Sequence, residues 1–174
     1  MKKLFILLFL IVLTSCSSIY VNYDYDKTTN FKSYKTYNYF SDVNTGMSEL
    51  DSKRLFKALD SALLSRGYMV SETPDFLIDI KSIEFQQARG STVGVGVGGV
   101  GNNVGGGLSI GLPIGQTKLG REIIFDFVDE SNDALFWQAV SESNFKLNAS
   151  PEKREALFIA IVEKVLKGFP PEIK

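Results

Sequence analysis

The side chains able to do covalent or metal chemistry are few. The chain has no histidine and one cysteine, Cys16. Ser/His/Asp and Cys/His nucleophilic machinery are therefore excluded, as are zinc, haem and iron–sulfur sites of the usual ligand types. No disulfide can form within the chain. Carboxylates remain. Asp24 with Asp26, and Asp126 with Asp129, are pairs that could in principle serve glycosidic hydrolysis, which places two carboxyl groups across one bond. They are pairs by sequence only, and the alternative is a solvated strand face. Asp129, Ser131 and Asp133 have the alternating oxygen spacing that opens a calcium loop, but Ala134 stands where the loop needs glycine and Val140 where it needs glutamate. A polar turn explains them better.

Glycine offers a different chemistry. Twelve of the 15 glycines lie between Gly90 and Gly120. Gly94, Gly96 and Gly99 match a dinucleotide-binding spacing, and Gly96, Gly98 and Gly101 match it again. Such a site needs a helix N-terminus directly after the glycines. Here Asn102-Asn103-Val104-Gly105-Gly106-Gly107 follows, which cannot propagate a helix. Period two fits instead. Val93, Val95 and Val97 alternate with glycines, and Leu108, Ile110, Leu112 and Ile114 alternate with small residues. The reading is a glycine-rich β-hairpin turning at Asn102-Asn103. Its apolar face could complete the core sheet, dock on a partner by strand addition, or touch a bilayer. Val93, Val95, Val97, Leu108 and Ile110 are the candidate partner-binding residues.

Cys16 gains meaning from what precedes it. Lys2 and Lys3 are followed by an uninterrupted apolar run, Leu4 to Leu13. That run is short of the roughly 20 residues that span a bilayer, and fits the apolar region of a secretory signal. Leu13-Thr14-Ser15-Cys16 then resembles a bacterial lipobox, whose cysteine is diacylglycerol-modified, freed at its amine by cleavage and acylated again. Residues 1–15 are read as a lipoprotein signal peptide, 16–30 as a lipidated tether and first strand, and 31–174 as a single domain. Ser17, in place of an aspartate, points to the periplasmic side of the outer membrane. A plain signal peptide or an uncleaved anchor is the alternative. Multiple acyl chains anchor firmly where one is marginal.

The rest of the chain must fold around these features. The formal net charge of −1, made more negative by loss of Lys2 and Lys3, is of the wrong sign for nucleic-acid binding. Ile19, Val21, Tyr23 and Tyr25 alternate with polar residues as a strand, and Tyr34 to Phe40 reads as a second. Six of the seven tyrosines lie between Tyr20 and Tyr39, as a binding surface or as cross-strand packing. Ser48 to Arg66 reads as a helix, with Ser48 and Asp51 at capping-box spacing and Gly67 just past its end. Phe76 to about Gln87 is a strand. Glu122 to Asp129 and the returning strand with Leu135, Trp137 and Ala139 on one face form a hairpin around a five-residue loop. Ser150 and Pro151 open a last helix that Pro170-Pro171 forbid from continuing. The fold class expected is α+β, a mostly antiparallel sheet with two helices packed on one face, plus the glycine-rich hairpin.

Several of these residues carry a family resemblance. Asp24-Tyr25-Asp26 with Phe31 comes first, then Tyr34-Lys35-Thr36-Tyr37, Arg66-Gly67-Tyr68 and Pro74-Asp75-Phe76. Leu135-Phe136-Trp137-Gln138 and Phe169-Pro170-Pro171 complete the series. In this order they resemble a Gram-negative lipoprotein domain of unknown function, the family numbered four-one-three-six, over nearly all of the chain after Cys16. The resemblance implies an α+β envelope lipoprotein and names no catalytic residues. The expectation is a lipid-anchored binding or structural accessory protein of the outer membrane, not an enzyme. It has no cofactor or metal, and its partners are the membrane and another envelope protein. A membrane-active hairpin that oligomerises and a carboxylate-dependent hydrolase are the alternatives.

Overall fold

A computed structural model describes residues 19–87, 92–93, 112–113 and 118–172. Their order is β1 (Ile19–Tyr25), β2 (Thr36–Tyr39), α1 (Glu49–Ser65), β3 (Met69–Val70), β4 (Phe76–Gln87), β5 (Thr92–Val93), β6 (Leu112–Pro113), β7 (Lys118–Asp129), β8 (Ala134–Phe145) and α2 (Pro151–Val165), closed by a 3₁₀ turn at Leu166–Gly168. Six strands form one sheet in the order β1-β8-β7-β4-β2-β3. The β1/β8, β8/β7 and β7/β4 ladders are antiparallel, and β2 runs parallel to both β4 and β3. This is the expected α+β class.

One face of the sheet carries the core. Phe76, Ile78 and Ile80 of β4, Ile123, Phe125 and Phe127 of β7, and Trp137 and Ala139 of β8 are fully shielded from solvent. The stripe Leu55, Leu59 and Leu63 of α1 and Phe158, Ile161, Val162 and Val165 of α2 cover them. Each such large side chain contributes roughly 1.5–3 kcal/mol on burial. The period-two and period-3.6 patterns therefore meet on one surface. Lys57 of α1 and Arg66, directly after it, also pair with Glu155 and Glu163 of α2, each at 2.9 Å.

Local signals behave as the sequence suggests in some places and not in others. Gly67 has φ +87° directly after α1, the left-handed position where a β-carbon is disfavoured. Ser48 Oγ accepts from the Asp51 backbone N–H at 3.3 Å. The reciprocal half of the capping box is missing, because the Asp51 carboxylate turns into the protein. Ser150 occupies the N-cap of α2 without a side-chain capping bond. The β7–β8 register shifts between Phe127 and Val128. Phe136 and Trp137 are both buried as a result, and Leu135 is exposed. A bulge puts successive residues on one side in this way, so Leu135 does not share the face of Trp137. The loop is four residues, with Asp133 at φ 53°. Tyr34 precedes β2 rather than belonging to it, and Met69–Val70 form a parallel edge strand beside β2.

Candidate functional site

Antiparallel pairing gives the β1-β8-β7-β4 part of the sheet two ends. At the entry pole β1 begins, β8 ends, β4 ends and β7 begins: Ile19 pairs with Ser143, Leu119 with Phe145, and Gln87 with Lys118. At the distal pole Phe76 pairs with Asp129 and Tyr25 with Trp137. Polar side chains converge at both.

The distal pole holds an open cleft of about 290 Å³ lined by Ser33, Tyr34, Pro74, Asp75, Asp129, Glu130 and Ser131. Asp75 Oδ2 accepts from the Lys35 and Thr36 backbone N–H groups and the Thr36 hydroxyl, at 2.7, 2.8 and 2.9 Å. Burial opposes ionisation of Asp75, but these three donors outweigh it and hold its pKa below the ordinary value. Asp129 accepts the Tyr34 hydroxyl at 2.7 Å on one oxygen, and the Ser131 hydroxyl and backbone N–H on the other, at 2.5 and 2.9 Å. The Ser131 and Tyr34 hydroxyls lower its pKa. The Tyr34 hydroxyl is pushed in the opposite sense, by burial first and by Asp129 second. Both carboxylates are thus charged at neutral pH. In that form they can accept hydrogen bonds or face a cation.

The entry pole holds a buried ionic cluster. Asp51, 1% exposed, accepts Arg54 Nη1 at 2.9 Å, Arg154 Nη1 at 2.7 Å and Arg121 Nη1 at 3.4 Å. Arg121 also reaches Glu84 at 2.6 Å, and its guanidinium lies 3.6 Å over the Phe145 ring. Arg154 donates further to the Leu147 and Ala149 carbonyls, at 2.6 and 3.2 Å. Asp51 therefore fastens β7 to both helices and to the loop after β8.

The residues singled out from sequence fall as follows. Cys16, Val95, Val97, Leu108 and Ile110 lie outside the described residues, as does most of the glycine-rich hairpin. Val93 pairs with Leu112 and Thr92 with Pro113. These pairs keep the register of Gln87 with Lys118, five and six residues after the one and before the other. The tyrosines are mostly structural. Tyr37 and Tyr39 both donate to Asp60 Oδ1, at 2.8 and 2.7 Å, and burial followed by that bond raises both pKa values. Tyr34 stacks on Phe136 with centroids 4.2 Å apart, and Trp137 is core. Asp26 closes a turn onto Thr28, and Asp126 accepts from Gln138. Asp129 and Ser131 bond to each other, which makes the β7–β8 loop a polar turn. Among the described residues no group of three or more carboxylates is placed to hold a metal ion, and no helix is long and apolar enough to cross a membrane. Sequence reasoning missed the cleft and the Asp51 cluster, since their members lie far apart along the chain.

The profile of a domain-of-unknown-function family, DUF4136, matches residues 21–171. The chain belongs to this family. The match runs from within β1 to the residues after α2, and so takes in both poles. No curated protein matches the chain. Among solved structures it is similar to two of the PelC dodecamer from Paraburkholderia phytofirmans, at TM-scores of 0.51 and 0.52 and 10% identity. Each covers 89% of this chain and 99% of that one. It is also similar to a PDZ domain protein from Parabacteroides distasonis, at TM-score 0.53 and 13% identity, over 94% of this chain and 39% of that one. At these identities the likeness is one of fold.

Proposed function

We propose that this member of the DUF4136 family is a lipid-anchored component of the bacterial envelope. It is held through Cys16 at the periplasmic face of the outer membrane and acts by binding rather than by catalysis. One observation carries the reading: the only cysteine of the chain stands directly after Leu13-Thr14-Ser15, behind Lys2-Lys3 and an unbroken apolar run. The absence of histidine and the depressed carboxylates of the distal cleft support binding over acid–base catalysis. The deciding experiment is metabolic labelling with an alkynyl palmitate analogue in a Gram-negative host, followed by membrane fractionation. The wild-type chain takes up label and sediments with outer membrane, whereas Cys16→Ser takes up none. Equal labelling of both chains overturns the anchor.

The binding partner suggested by the fold is a second copy of the chain. PelC, which shares the fold, is described as a dodecamer. Among the described residues β1 pairs on one side only, with β8, and an open strand edge is a template for pairing. Native mass spectrometry of the chain from Ser17 onward, without acyl chains, tests this. Only monomer at tens of micromolar excludes self-assembly through the folded body.

A further inference from the structure

We infer that the entry pole of the sheet lies against the lipid surface, with Leu147 and Leu50 seated among the headgroups and upper acyl chains. The inference rests on the Cys16 anchor proposed above and goes beyond it, since an anchor alone leaves the body free to face any direction.

The tether sets the first constraint. Ile19 is the third residue after Cys16. Three extended residues reach at most about 10 Å. Ile19 is buried and already paired with Ser143, so no slack exists beyond those residues. The pole that contains Ile19 is therefore the region of the body nearest the bilayer, and the distal cleft, at the other end of β1, is turned away.

The surface at that pole sets the second. β8 runs past Ile19 to Phe145, and the chain beyond it carries Leu147, 66% exposed. Its backbone is not loose: the Leu147 carbonyl accepts Arg154 Nη2 at 2.6 Å. Leu50 sits in the first turn of α1, beside Asp51, and is 62% exposed. Because Asp51 bonds both Arg121 and Arg154, Leu50 and Leu147 belong to the same end of the molecule. Tyr20, next to the tether, is 69% exposed, and its amphipathic ring suits an interface. The apolar side chains are thus presented by a rigid ionic framework rather than by free loops.

Charge does not compete with this reading. Lys53 is paired with Glu49 at 2.6 Å, and the exposed Lys146 and Lys153 are accompanied by Glu152. The pole is mixed in sign, so the contact is apolar and insensitive to anionic lipid.

The test uses the acylated protein purified from membranes and reconstituted into phosphatidylethanolamine/phosphatidylglycerol vesicles. An environment-sensitive fluorophore is placed through Leu147→Cys, Leu50→Cys or, as a distal-pole control, Leu135→Cys. Intact mass reports acylation of Cys16, and Trp137 emission reports folding. The expected result is blue-shifted emission at positions 147 and 50, with quenching by shallow doxyl lipids several-fold stronger than at 135. The shift is unchanged when phosphatidylglycerol is omitted. Equal quenching at all three positions in acylated protein overturns the orientation and leaves the anchor standing. A mass showing unmodified Cys16 overturns both.

Discussion

Replacing Asp51 by alanine isolates the energetic role of the ionic cluster. The backbone N–H of residue 51 still donates to Ser48 Oγ, so the N-cap survives and only the carboxylate is lost. Three arginines then lose a partner, unequally. The Arg54 and Arg154 side chains are 21% and 20% exposed, and can turn partly to water. Arg154 also keeps its two carbonyl acceptors. The Arg121 side chain is 4% exposed and keeps only Glu84 and the Phe145 face. Breaking a buried pair by removing one partner costs about 3–5 kcal/mol, and retention of Glu84 places this case near 3. For a domain of this size that lowers Tm by about 6–12 °C. Urea unfolding followed by Trp137 emission, from the only tryptophan and one fully buried, is the assay. The midpoint should fall with an unchanged slope. Adding Arg121→Met should recover some of the loss, giving a coupling energy in the double-mutant cycle. A loss below about 0.5 kcal/mol, ordinary for a surface substitution, would refute the assignment of Asp51 as the fastener.

Other outcomes follow from the same geometry. A β-carbon at Gly168 would lie 2.4 Å from the Tyr23 ring, whose hydroxyl donates to the Lys164 carbonyl at 2.6 Å. Gly168→Ala should therefore destabilise by about 1–3 kcal/mol, and Tyr23→Phe by only about 1, read by the same urea titration. At Gly120 the added carbon would meet the far end of the Phe85 ring, 2.5 Å away. The ring can swing aside, so Gly120→Ala should cost less in the Phe85→Ala background than alone, in thermal melts. Asp75 and Asp129 have depressed pKa values in the folded chain, so their stabilisation is present above the ordinary aspartate pKa, near 4, and is lost as pH falls through the folded values. Tm should fall more between pH 5 and pH 3 for wild type than for Asp75→Asn, and parallel curves would contradict the hydrogen-bond account.

Much of the scaffold was legible because it repeats. Leu55, Leu59 and Leu63 mark one helix face, and Phe76, Ile78 and Ile80 mark one strand face, whatever else the chain does. The distal cleft and the Asp51 cluster are combinations of single residues with no period. Asp51 three residues after Ser48 looks like a local cap, and nothing nearby reveals that Arg121 and Arg154 will arrive from β7 and α2 to claim its carboxylate. The alternation Leu135, Trp137, Ala139 misled for a related reason. A bulge is set by the partner strand, and one extra residue opposite Phe127 reverses which side chains face the core. The tyrosine run was ambiguous because a phenol suits a surface and a core equally. Asp60 and Asp129 decided it by accepting three of the hydroxyls.

The direction in which the chain enters β1 has a mechanical consequence. A pull on Ile19 directed along the axis of β1 meets a strand paired with β8 from Ile19–Ser143 to Tyr25–Trp137. Such a pull loads the ladder in shear, so its hydrogen bonds must slip together rather than open in succession. Tyr23 adds a rivet across the strand, its ring against Gly168 and its hydroxyl on α2. The bond from Lys164 to the Ile19 carbonyl places another at the point of entry. The first strand is thus built as a tow line, able to carry tension into the sheet without the domain unzipping from its end.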